Sequence, residues 1–264
     1  MNLWTLHRGD GPLIVDVPHA GTHVPMQVAP LLSAEARALP DTDWHVEKLY
    51  AVAAAAGATL MCATHSRYVV DLNRDPSGAA LYAGADNTEI CPTRTFANAP
   101  VYAAGASLTA EDVGARVAGY FLPYHAALAA EVARVRERHG HAVLLDGHSI
   151  RSVAPRFFAG RLPDLNLGTA DGASAAASLQ ARAVDVLARA AGFTHVVNGR
   201  FKGGWITRHY GKPGEGVHAL QLEVAQACYM DEDPPYAWDP TRAAALVQVL
   251  RRLVAALAGW RPPA

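Results

Sequence analysis

The sequence predicts an α/β fold in which a mainly parallel sheet is covered by helices on both faces. Two observations carry this. Short β-branched or Leu-rich runs alternate along the chain with longer stretches of helical periodicity. Such alternation builds parallel strands joined by crossover helices. In addition, hydrophobic residues make up 51% of the 264 positions, and no Pro/Ser/Gly-rich linker or internal repeat divides them, so residues 1–264 are expected to form one domain.

Each element has a local signal. Leu13-Ile14-Val15-Asp16-Val17 is apolar and β-branched and reads as the first strand; further strands are expected at 59–63, 68–72, 142–146, 195–198 and 218–224. The first helix, 42–56, follows Asp41 as an N-cap and closes at Gly57. The second, 110–138, opens on a variant capping box of Thr109 with Asp112 and stops at Gly140. Pro123 lies inside it and should kink or split it, because proline lacks the N–H and crowds the preceding turn. Helices at 175–191, closed by Gly192, and at 242–258 complete the set. Three long aperiodic segments, 75–107, 152–172 and the Gly-rich 199–216, are expected to be functional loops.

Composition narrows the function. A net charge of −1 with both signs interspersed points to neither nucleic acid nor a membrane surface as partner. No apolar run is long enough to span a bilayer, and Met1 to Val17 lacks the pattern of a secretory signal. Cys62, Cys91 and Cys228 form no CxxC pair and leave an odd count, which suits reduced thiols in a cytoplasmic protein. The chain has no GxSxG elbow, no phosphate-binding GxxxxGK[ST], no GxGxxG after a strand and no HExxH.

In open α/β sheets, ligands gather where strands end. Two histidines stand at such places, His19 in Val17-Pro18-His19-Ala20-Gly21 and His148 in Asp146-Gly147-His148-Ser149. A hydrolytic zinc site needs three protein ligands and an open position. For the third, Asp43, Asp41 and His23 are all available, the two acids also being suited to a helix N-terminus. Asp71 ends the 68–72 run, and a carboxylate buried there needs a partner, such as the far ring N–H of a metal-binding histidine. Asn73 and Arg74 follow, an amide and a planar fork suited to a carboxylate or to a salt bridge with Asp71 or Asp75. Glu223 shares a strand face with Gln221 and is either an edge charge or, beside a metal, a general base. The loop Gly199-Arg200-Phe201-Lys202-Gly203-Gly204-Trp205-Ile206-Thr207-Arg208-His209-Tyr210-Gly211 mixes glycines, cations and aromatics, as a small-anion site does and as a solvated loop also can.

Taken in order, these segments resemble the N-formylglutamate amidohydrolase (N-formylglutamate deformylase) family almost from end to end. The resemblance runs through Pro18-His19-Ala20-Gly21-Thr22, Asp41-Thr42-Asp43-Trp44, Ser66 to Arg74, Cys91 to Phe96, Asp146 to Ser152, Pro155 to Phe158, Leu162 to Gly172, Gly199 to Gly211 and Gln221 to Glu232. It implies a three-layer α/β/α fold with a central mixed, mostly parallel sheet, of the zinc carboxypeptidase-like, phosphorylase/hydrolase-like kind. It also implies hydrolysis of N-formyl-L-glutamate to formate and L-glutamate, late in a bacterial route of histidine breakdown. The wider group, with zinc carboxypeptidases and aspartoacylase-type deacylases, holds its metal by His, an acid and His. His19 and His148 match the histidines; Thr22 stands where the acid usually lies, so the acid role moves to Asp43. By the same resemblance Asp71 supports His19, Asn73 and Arg74 grip the α-carboxylate, Arg67 polarises the scissile carbonyl and Glu223 is the catalytic acid–base. The substrate's second carboxylate then asks for another cation, with Arg208, His209 or Lys202 as choices. Zn²⁺ is the expected metal, although an N/O site takes other divalent ions. The alternatives are a zinc deacylase of another N-acyl amino acid and a non-catalytic binder of acidic amino acids.

Overall fold

Four parallel strands form the middle of a seven-stranded sheet in the computed structural model, which describes residues 1–81, 84 and 86–263. Tyr82, Ala83 and Ala85 of the expected loop 75–107, and Ala264, lie outside the described residues. The strands are β1 (Trp4–His7), β2 (Leu13–Val17), β3 (Thr59–Ala63), β4 (Ala142–Ile150), β5 (Leu165–Gly168), β6 (His195–Val197) and β7 (Val217–Ala225). Their spatial order is β1-β3-β2-β4-β7-β5-β6. β3, β2, β4 and β7 run parallel, while β1 against β3 and β5 against β7 are antiparallel, so the sheet is mixed.

Helices cover both faces: α1 (Val46–Leu49), α2 (Val52–Ala55), α5 (Ala177–Ala188) and α7 (Pro240–Ala258) on one, α3 (Ala110–Arg116), α4 (Leu122–His139) and α6 (Trp205–Tyr210) on the other. The split follows strand alternation. Val143 and Leu145 of β4 pack toward α5 and α7, whereas Ala142 and Leu144 pack toward α4 and α6. The second face continues toward the strand ends with Asp146 and His148, so the apolar layer gives way to buried polar groups on the same side. On β2 and β7 the corresponding residues are Asp16, and Gln221 with Glu223. Asp16 is fully buried and accepts a 2.6 Å hydrogen bond from Tyr124 Oη. Burial first, and then the neighbouring Asp146, push its carboxyl up to about 8.

Two expected elements differ. Residues 68–72 are no strand. Ser66 Oγ accepts from the Tyr68 N–H and Ser66 O from the Val69 N–H, which turns the chain, and Tyr68 and Val69 fill a separate apolar cluster. The 42–56 helix is reduced to α1 and α2. His45 just before α1 is left-handed, with φ 62°, and Asp41 caps nothing because its carboxylate accepts from Tyr68 Oη and the Phe96 N–H. The 110–138 helix does split at Pro123: Val117–Phe121 form a π-helical turn that relieves the proline's clash with the preceding carbonyls. The Thr109–Asp112 capping box and the left-handed Gly140 stop are both present. Edge strand β1, the inner strand β5, and α6 within 199–216, had no sequence expectation.

Candidate active site

The ends of β2, β4 and β7 meet at one cleft. His19 sits two residues past β2, His148 near the end of β4, and Glu223 is the register partner of His148 on β7. Gly147 must be glycine, since a Cβ there would lie 2.4 Å from the Tyr50 ring. Asp43 comes from the turn before α1 and reaches back to both histidines. Its Oδ2 lies 3.0 Å from His148 Nδ1 and 3.9 Å from His19 Nδ1, and accepts the Ser149 N–H at 3.0 Å. One donor atom from each of His19, Asp43 and His148 can be chosen so that all lie within 4.8 Å of one another, and all three residues are buried. Asp43, rather than Asp41 or His23, is therefore the acid brought to the histidines; His23 packs edge-on against His65 instead.

Carboxylates hold the far side of each ring. His19 Nε2–H donates to Asp71 Oδ1 at 2.8 Å, leaving the Nδ1 lone pair to accept from Arg67 Nη2. Burial and then Arg67 push the His19 pKa down to about 4, against the pull of Asp71, so the ring is neutral, as a metal ligand must be. His148 Nε2 lies 2.7 Å from Asp146 Oδ1. Burial alone would lower the His148 pKa, but Asp146 and Asp43 hold it well above the ordinary histidine value. Asp146 was absent from the expected site. Its signal is its place two residues before His148 on the same strand face, where a buried acid needs a partner.

Arg67 is buried against three of these groups, touching His19, Asp43 Oδ1 at 3.1 Å and Asp71 Oδ2 at 3.9 Å, with its guanidinium over the Phe96 ring at 4.9 Å. Asp43 is correspondingly acidic: burial would raise its pKa, but Arg67 and the bond from His148 outweigh it. Glu223 lines the cleft with Gln221, whose Nε2 is 3.5 Å from Glu223 Oε2. Burial, aided by Asp43 and Asp146 against His148 and Arg67, raises its carboxyl to about 8. A carboxyl of that basicity beside a buried donor cluster can take up and return a proton near neutrality.

Asn73 is held inside the protein. Its Oδ1 accepts from the Ile206 N–H at 2.7 Å, and its Nδ2 donates to Asp146 Oδ2 at 3.0 Å and lies 2.8 Å from His148 Nε2. Gly204 passes so close that a Cβ there would fall 2.4 Å from the Asn73 amide oxygen. Arg74 lines the cleft and is braced by Thr88 and by the Asn73 carbonyl. Arg208 and His209 are exposed on α6 and do not line the cleft; Arg200, from the same loop, does. Lys202 is likewise outside it, paired with Asp171 at 3.0 Å.

Known proteins match this chain over nearly its full length. The family description "N-formylglutamate amidohydrolase" matches residues 11–230. N-formylglutamate deformylase of Pseudomonas aeruginosa is 48% identical over 253 residues, covering 96% of this chain and 95% of that protein. The Pseudomonas putida N-formylglutamate deformylase is 44% identical over 256 residues, covering 97% and 96%. The crystal structure of N-formylglutamate amidohydrolase from Ralstonia eutropha superposes with a TM-score of 0.83 at 29% identity, covering 98% of this chain and 97% of that one. A structure from Agrobacterium tumefaciens, 18% identical and covering 96% and 94%, shares the fold with a TM-score of 0.74. By sequence and by fold, the chain belongs to the N-formylglutamate amidohydrolase family.

Proposed function

We propose that the chain hydrolyses N-formyl-L-glutamate to formate and L-glutamate. The observation that carries this reading is the buried His19–Asp43–His148 cluster with Glu223 in the same cleft, in a chain whose relatives are named for that reaction. Two imidazoles and one carboxylate suit Zn²⁺ or another divalent ion, and the outward nitrogens are already braced by Asp71 and Asp146. Bound there, such an ion supplies a Lewis acid that brings the pKa of water to about 7.

The residues divide the remaining work. Glu223 accepts a proton from the attacking water and returns it to the departing amine. Arg67 donates to the former carbonyl oxygen as it gains charge, from a site where burial strengthens the interaction. Arg74 takes the α-carboxylate, while Asn73 keeps Asp146 and His148 aligned. We read residues 1–264 as one catalytic domain, and the kinship to zinc carboxypeptidases and aspartoacylase-type deacylases as a likeness of site chemistry. Among the described residues no helix is long and apolar enough to cross a membrane, and the three free cysteines suit a cytoplasmic enzyme. The test is formate release from N-formyl-L-glutamate, beside N-acetyl- and N-succinyl-L-glutamate, with metal analysis before and after chelation. Indifference to chelation, or preference for a larger acyl group, would overturn this reading.

A further inference from the structure

We propose that Arg200 binds the side-chain carboxylate of the substrate and so sets the preference for an acidic amino acid; this rests on the reading of the cleft given above. A substrate with two carboxylates needs two cationic partners besides the group that faces the reacting carbonyl. Three arginines line the cleft among the described residues: Arg67, Arg74 and Arg200. Arg67 is matched by Asp43 and Asp71 and lies against His19, at the reacting end. Arg74 adjoins Asn73, whose amide touches His148, which suits the carboxylate nearest the scissile bond.

Arg200 reaches the cleft from a different wall. Its Nε donates to the Phe157 carbonyl at 2.8 Å and its Nη2 to the Asp86 carbonyl at 3.3 Å. Its guanidinium lies against the Phe157 and Phe201 rings, at 5.7 and 5.6 Å. These carbonyls and rings help to fix the plane of the fork. The Asp86 carboxylate pairs with Arg156 through two bonds of 2.9 Å and also acts on Arg200 electrostatically. A guanidinium oriented against aromatic rings captures a carboxylate well, because the planar fork matches its geometry.

The test compares L-glutamate with its neutral isostere L-glutamine. Calorimetric titration of the metal-loaded wild type should show glutamate bound about 30-fold more tightly, the scale of a charge-assisted pair. Arg200→Gln should bring the two affinities within about threefold while leaving glutamine binding within about threefold of wild type. Arg200→Lys should keep part of the preference. The assignment fails if wild type shows no preference, if Arg200→Gln retains it, or if both affinities fall together as for a merely structural residue. Formate release from N-formyl-L-glutamate is measured in parallel. Selective glutamate binding that depends on Arg200, without any formate release, would reject the hydrolase reading and leave the carboxylate site standing.

Discussion

His148 and Glu223 are register partners on neighbouring parallel strands, so the imidazole and the carboxylate project side by side from one face of the sheet. Their spacing is set by backbone hydrogen bonding rather than by a loop. A proton-transfer group mounted this way keeps its aim when surrounding loops move.

Exchanging the Glu223 carboxylate for an amide removes the proton acceptor and little else. Glu223→Gln should lower kcat by about 10²–10⁴-fold with KM changed far less. Metal content, read by elemental analysis, should stay at the wild-type stoichiometry. Turnover near wild type would remove Glu223 from the chemistry.

Asp146 braces His148 as Asp71 braces His19. Asp146→Asn should weaken metal affinity by about 10–100-fold, measured by competition with a chromogenic chelator. An affinity equal to wild type would show that the His148 ring needs no such support.

Removing the metal should cost stability as well as activity, because an ion that binds only the folded state adds to its free energy. Dialysis against a chelator should lower Tm by several degrees and abolish formate release, and both should return with added Zn²⁺. A Tm that does not move would mean that the cluster holds no metal.

Asp16 gives the fold a pH dependence of defined sign. Its carboxyl is raised from 3.8 to about 8 by burial and by Asp146, so the folded chain keeps a proton that the unfolded chain releases. Stability from this group is complete below about pH 4, falls as pH rises, and levels off above about pH 8. At about 1.4 kcal/mol per pKa unit, the loss is on the order of a few kcal/mol. Asp16→Asn should lack this slope, so its stability relative to wild type should improve between pH 5 and about pH 8 in urea titrations. Parallel pH profiles for the two proteins would refute the assignment.

The central strands were legible because burial on both faces makes them continuous apolar runs, as in Leu13–Val17 and Thr59–Ala63. Strands β1 and β5 were not. Trp4–His7 alternates between exposed and half-buried residues and spans only four positions. Residues 68–72 carry strand-like side chains, but the Ser66 turn decides their path, a local hydrogen bond that hydrophobic pattern does not reveal. In the site, His19 and His148 were named from residue type and position, Asp71 and Glu223 as one of two readings each, and the choice of Asp43 over Asp41 and His23 came from the family resemblance. What could not be read was direction. Arg200 and Arg208 stand eight positions apart in one Gly-rich loop, and only the clipping of α6 to Asn73 and Gln221 determines which of them faces the cleft.

The carboxylates around the two histidines also act as a charge count. Asp43, Asp71 and Asp146 each touch a histidine ring, and Arg67 alone stands among them as a fixed cation. A proton on His148 offsets part of that excess; when both rings are neutral, as metal binding requires, three negative charges against one positive leave a deficit of two in a dry enclosure. That deficit selects by valence. Sodium or potassium would leave it half filled and a trivalent ion would overshoot it, so the enclosure is tuned to a dication before ligand geometry is considered.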